Sequence, residues 1–399
     1  MLSYQQYLRN STVPKEIIDT FLDDNQPTWA KYDPEVGYIL GNSMPRDGID
    51  GSSTISTSQK NGARKAHMYA DRKCRINTYG NSFTQCHQVS DGETWQEYLA
   101  GHLGEPVRNF GMGGFGVYQA YRRMLKTEQT CHDAEYVILY IWGDDHNRSV
   151  MRCRYAVTYP WWDDRGGVAF HGNFWANVEM DLDSGQLVVK ENILSTPESL
   201  YNMTDPDFMV QALNEDLMVQ LYATRQVDPS SLDIESLNAL AEILGVSKID
   251  KMDEPNLSSS IENIKKAYGF AATKYIIQKA CDYCNGKNKK LMIALLCPTA
   301  TRQLLNGQQR YEQDIINFID KNGIRYFDMN LVHLTDYKDF NLSVEDYMQR
   351  YFIGHYSPAG NHFFAYSIKN AIVGWLDPKP ITYRDDDQKM FDFKGYLPD

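Results

Sequence analysis

The sequence predicts an α/β protein: a three-layer α/β/α sandwich around a central five-stranded parallel sheet, with an insertion of mixed structure. Three observations predict it. Strand-like and helix-like patterns alternate in two stretches of the chain. Two apolar runs, residues 135–142 and 290–297, are continuous rather than alternating, the mark of strands buried on both faces. Polar or glycine-rich loops follow the strand ends, where open α/β sheets hold ligands.

The first stretch reads strand 74–79, helix 92–103, strand 106–110, helix 117–125 and strand 135–142. The second reads helix 261–284, strand 290–297, helix 311–321, strand 324–328 and a last helix, 359–375. Between them the alternation stops. Residues 155–162, 168–178 and 186–189 look like aromatic strands, separated by turn signals at 164–167 and 183–185. Residues 208–222 and 233–244 look helical. This gives an irregular lead-in at 1–71, a core at 72–150 and 262–378, an inserted mixed subdomain at 151–261, and a tail at 379–399. Tyr159, Trp161, Trp162, Phe170, Phe174 and Trp175 make the insertion strongly aromatic, as its small core or as a platform for a sugar ring.

Composition narrows the function classes. The chain has 399 residues, is 42% hydrophobic and needs no disulfide staples to bury a core. A net charge of −12 argues against nucleic acid as the main partner and gives no support for anionic lipid. Residues 151–260 hold 7 basic and 18 acidic side chains, so the charge belongs to the insertion. It forms a solvated face there, or a barrier to anionic substrates at the cleft it borders. No run is long and apolar enough for a membrane helix, and the N-terminus lacks a secretory pattern. Seven cysteines, an odd number, fit a reducing compartment, and a cytoplasmic location is expected. Cys281 and Cys284 sit inside a helical pattern without a second pair, and read as helix-face thiols.

The chemistry-bearing residues lie at strand ends. Gly80-Asn81-Ser82-Phe83-Thr84 follows the first strand. Gly111, Gly113, Gly114 and Gly116 follow the second. Trp142-Gly143-Asp144-Asp145 follows the third, and His355 to Gly360 precedes the last helix. A serine hydroxyl needs an imidazole to take its proton, and a tetrahedral oxyanion needs preorganised donors. These loops supply both kinds of group. Gly111, Gly113 and Gly116 also form a G-x-G-x-x-G between strand and helix, so a dinucleotide enzyme remains a third hypothesis. Asp144 and Asp145 are a weak metal pair, lacking a third ligand. His362 is the rival base but falls inside the helix after Pro358. His87 and His146 read as loop residues.

Those four blocks, in order and spacing, resemble the SGNH or GDSL hydrolases. Asp33-Pro-Glu-Val-Gly37 and Asn61-Gly-Ala-Arg64 resemble the lead-in of a large bacterial branch of that family. The resemblance covers residues 72–150 and 262–378 and implies a strand order of 2-1-3-4-5, as in flavodoxin. It implies Ser82 as nucleophile, His355 as general base, and the N–H groups of Ser82 and Gly114 as oxyanion donors. Gly113, Asp145, Trp142 and Phe83 would line the substrate site. The reaction implied is hydrolysis or transfer of an acyl ester without a cofactor, on a small molecule or an O-acylated carbohydrate. Three positions depart from the family pattern. Asn81 replaces the usual Asp, Asp144 replaces the usual oxyanion Asn, and Phe352 and Ile353 stand where a triad Asp is expected. An ionised Asp144 has no proton to donate. The first two departures form an exchange, with Asn81 as donor and Asp144 as its acceptor. Glu345, Asp346 or a backbone carbonyl would then orient His355. The alternative is a catalytically silent member that binds its ligand without turnover.

Overall fold

The computed structural model describes residues 1–162, 166–250 and 254–384. Among the described residues nine strands run β1 (Ala30–Asp33), β2 (Gly37–Leu40), β3 (Ile76–Tyr79), β4 (Val107–Asn109), β5 (Tyr136–Ile141), β6 (Asn177–Asp181), β7 (Gln186–Lys190), β8 (Lys290–Leu295) and β9 (Tyr326–Asp328). Five of them form one parallel sheet, ordered β4-β3-β5-β8-β9. Numbered within that sheet, the order is 2-1-3-4-5, as expected.

Strand β5 shows why the sheet needs two covering layers. All six of its residues are buried. Val137, Leu139 and Ile141 face one apolar cluster, and Tyr136, Ile138 and Tyr140 face another. The period of two sends alternate side chains to opposite faces. Helices Val117–Thr127, Glu254–Gly286 and Gln313–Lys321 supply the first cluster with Met124, Ile276 and Ile315. Helices Trp95–Leu103 and Pro358–Trp375 supply the second with Leu99, Phe364 and Ile368.

The N-terminal region is more regular than expected. Helices Tyr4–Asn10 and Lys15–Leu22 precede the β1–β2 hairpin. The signals are local: Ser3 and Gln6 form a capping box, and Asp33 Oδ1 accepts from the Glu35 and Val36 N–H groups at the hairpin turn. Irregular backbone is concentrated instead between residues 41 and 75. Both helices pack on the segment after β5, where the Tyr7 hydroxyl donates to Ala156 O at 2.6 Å and that of Tyr4 to Leu213 O at 3.0 Å.

That segment also departs from expectation. Residues 155–162 are not a strand but helix Tyr155–Thr158 and a 3₁₀ turn, Tyr159–Trp161. Tyr155 and Tyr159 stand four residues apart, so a helix puts both rings on one face, 6.3 Å apart. Only the end of 168–178 is a strand; residues 166–169 are 3₁₀. Phe170, Phe174 and Trp175 are buried core, while Trp161 is exposed. The turn signal at 164–167 lies partly outside the described residues, as does the tail beyond 384. The helical stretch 208–222 is split by Asp216, which caps a new helix at Leu217–Ala223. Helices Pro298–Leu305, Met329–Asp336 and Val344–Gln349 were not anticipated. All seven cysteines are free thiols, with Cys281 and Cys284 on the long helix Glu254–Gly286.

Candidate active site

The carboxyl ends of β3, β4 and β5 open onto a cavity of about 810 Å³. Ser82, Phe83, Gly113, Gly114, Trp142 and His355 are all in its wall. They come from four separate loops and meet at the sheet edge.

Ser82 sits in a sharp strand-to-helix turn. Asn81 makes the turn by accepting the Phe83 N–H on its Oδ1 at 2.8 Å, an N-cap for the short helix Ser82–Gln85. Ser82 opens that helix, so its own N–H has no intrahelical acceptor. His355 reaches the same point from 273 residues away. Its Nε2 lies 2.7 Å from Ser82 Oγ. The loop is fixed just beyond by Ser357, which caps the helix Pro358–Trp375.

The group behind the imidazole is Gln88. Its Oε1 lies 2.9 Å from His355 Nδ1 and accepts the His355 backbone N–H at 2.8 Å. An amide oxygen can only accept, so Nδ1 carries the proton and Nε2 presents its lone pair to Ser82. The Gln88 amide nitrogen donates to Asp47 O at 3.0 Å, which fixes the orientation of the amide. Two backbone features make room for this contact. Gln88 has φ +70°, and Gly354 has φ +111°. A Cβ on Gly354 would stand 2.8 Å from Gln88 Oε1. Burial, followed by the positive fields of His87 and Arg148, pushes His355 down to about 3, so the imidazole is neutral near pH 7.

Glu345 and Asp346 do not reach His355. Glu345 pairs with Arg302, and Asp346 bonds to Ser343 in the cap of its own helix. No sequence motif announces Gln88. It lies six residues beyond the nucleophile, as a residue type rare in this role.

The exchange between strand ends involves a different carboxylate. Asn81 Nδ2 donates to both oxygens of Asp145, at 3.0 and 2.8 Å, not to Asp144. Asp145 is 1% exposed and also accepts the Trp142 N–H and the Arg148 guanidinium. Burial raises it to about 7 despite these donors. Asp144 has a side chain 63% exposed, and among the described residues its carboxylate pairs with Arg148, at 3.5 Å. The two adjacent carboxylates therefore face different ways and do not form a metal pair. Asn81 spends both its donor and its acceptor inside the protein, so it adds no donor to an oxyanion hole.

Gly114, with φ +80°, shares the cavity wall with Ser82. The rest of the glycine loop is filled by the chain itself. The N–H groups of Gly111, Gly113 and Gly116 go to the side chains of Asn109, Gln85 and Gln119. A Cβ on Gly111 would meet Gln85 N at 2.2 Å, and one on Gly116 would meet Ser149 N at 2.6 Å. These amides serve turn packing and are not available to a pyrophosphate.

Phe83 packs on His355, with ring centroids 5.0 Å apart, and on Trp142, at 5.7 Å. His87 stands edge-on to His355 at 5.0 Å and pairs with Asp47 at 3.1 Å. His146 is buried against Thr273, and His362 packs on Tyr98. The other wall was not foreseen: Trp29, Met44 and Pro45 from the N-terminal region, and Arg148, Arg154 and His171 from the segment after β5. The inserted segment is acidic as a whole but faces the cavity with Arg154 and His171. Neither a scan of protein-family models nor a search of curated proteins yields a match to the chain.

Proposed function

We propose that this protein is a serine hydrolase or acyltransferase of the SGNH type acting on an acyl ester. The observation that carries the reading is the 2.7 Å contact between Ser82 Oγ and a His355 whose tautomer is held by Gln88. In this mechanism His355 Nε2 takes the proton as Ser82 Oγ attacks the ester carbonyl. The Ser82 and Gly114 N–H groups receive the oxyanion. The imidazolium then protonates the leaving alkoxide, and an acyl-serine remains. Water, or an acceptor hydroxyl, attacks that ester by the reverse sequence. Gln88 orients the imidazole but brings no negative charge to stabilise the imidazolium, so turnover is slower than with a carboxylate in its place.

That same neutral amide favours a second reading, a site that binds an ester without turning it over. A fluorophosphonate probe separates the two. Labelling of the wild type that is lost in Ser82→Ala, with ester turnover falling by about 10⁴-fold or more, supports the enzyme. A folded wild type that neither labels nor hydrolyses short 4-nitrophenyl esters supports the binder.

A further inference from the structure

The cavity is cationic in an acidic protein, and its charges are unevenly spent. Of the two arginines in its wall, Arg148 is committed: it reaches Asp145 at 3.2 Å and Asp144 at 3.5 Å. Arg154 is not. Among the described residues no carboxylate pairs with it, and its shielded Nη1 has no hydrogen-bond partner. Its surroundings make that costly. Nη1 is the atom nearest to a Cβ placed on Gly114, at 2.6 Å, level with the Tyr38 hydroxyl. The Tyr38 hydroxyl donates to Gly113 O at 3.2 Å. The neighbours beyond are aromatic: Trp29, His171 and Trp162 pack in a row, with centroids 4.8 and 5.0 Å apart. Burial and the nearby Arg148 push Arg154 down to about 10. Arg154 is half-buried with its Nη1 shielded from solvent, and a shielded guanidinium nitrogen without a counter-ion is costly, a cost that a ligand anion offsets.

Position sets what that anion belongs to. Arg154 adjoins Gly114, whose N–H is a proposed oxyanion donor, so its ligand is part of the same molecule as the scissile ester. Number sets its charge. Besides the Tyr38 hydroxyl and the more distant Asp144, nothing among the described residues balances this cation; one such charge matches one negative charge, and a planar guanidinium matches a carboxylate fork. A phosphate dianion would bring a second charge into an aromatic pocket with no partner for it.

We infer that this cavity selects a carboxylate-bearing ester, with Arg154 holding the carboxylate beside the scissile bond. The inference rests on the esterase reading, and its test separates the two. Wild type is assayed on two matched pairs: 4-nitrophenyl hydrogen adipate against 4-nitrophenyl hexanoate, and 3-acetoxybenzoate against phenyl acetate. The charged member is preferred in at least one pair. In Arg154→Met the charged-to-neutral ratio of kcat/KM for that pair falls on the order of 100-fold, and Arg154→Lys keeps an intermediate ratio. If Arg154→Met folds poorly, Arg154→Lys and Arg154→Gln carry the same comparison. A ratio that stays constant while both rates fall makes Arg154 an oxyanion donor and overturns the inference, as does a wild type that prefers the neutral esters. Calorimetry of monoethyl adipate on Ser82→Ala, with and without Arg154→Met, reads binding without turnover. Binding that disappears with Arg154 upholds the carboxylate site even if no ester is hydrolysed. Failure to bind overturns it even if the esterase reading stands.

Discussion

The two sides of the cavity are made differently. The sheet side takes its groups from loops at the ends of β3, β4 and β5 and from the loop before the last helix. Three of those groups are held by the chain: Asn81 by Asp145, Gly113 by Gln85, His355 by Gln88. The opposite wall takes its groups from the N-terminal region and the segment after β5. There Trp29 Nε1 and Arg154 Nη1 are shielded without a hydrogen-bond partner among the described residues, and Met44 is 68% exposed. A saturated side holds a reacting geometry, while an unsaturated wall leaves bonds for a ligand to make. On the proposed function the chemistry would belong to the sheet edge and the selection to the wall.

Breaking the sheet side costs most. Asp145→Ala removes the acceptor for Asn81, Trp142 N–H and Arg148 together, leaving a largely buried guanidinium without its main partner. The loss is about 3–5 kcal/mol of stability, read by urea denaturation, with esterase activity falling alongside. A loss under about 1 kcal/mol would mean the strand-end lock is incidental.

Gln88→Glu sharpens the comparison without breaking it. A carboxylate behind His355 stabilises the imidazolium, so kcat rises by about tenfold. It also raises the pKa of the base. The acid limb of kcat/KM reports that base in the free enzyme. In wild type the limb lies well below the ordinary imidazole value of about 6.5. In Gln88→Glu it moves to higher pH, so activity is lost sooner on acidification. An unmoved limb would show that Gln88 does not govern the base.

The smallest effect is on the wall. Met44→Ala shifts KM for long-chain esters by about two- to threefold and leaves stability within about 0.5 kcal/mol. Equal loss on short and long esters would remove the division between the two sides.

What the sequence disclosed follows the same division. The strands of the parallel sheet were legible because apolar runs, caps and turn residues are encoded within a few positions of one another; the sheet order and the Ser82–His355 pair, 273 residues apart, came only through the resemblance of the four strand-end blocks. Asp145 was misplaced by one residue, since two aspartates in succession differ only in how the turn aims them. Gln88 was illegible. Its role depends on a left-handed backbone and on a glycine 266 residues away, and glutamine at a triad position carries no motif. Arg154 was hidden by an average: a strongly acidic segment can still turn a basic face inward. The N-terminal helices were missed although Ser3 and Gln6 announce the first of them.

The insertion has a consequence for how this chain is made. About 150 residues separate β5 from β8, its neighbour in the sheet. At about 5–20 residues per second on the ribosome, the edge of β5 that will receive β8 waits unpaired for roughly 7 to 30 seconds. That edge belongs to the most apolar strand of the molecule, and an open apolar edge is a template for pairing with another nascent chain. The N-terminal helices and the segment after β5, which meet where the Tyr7 hydroxyl donates to Ala156 O, both precede β8 in the chain, so every residue of that contact is made while the β5 edge is still open.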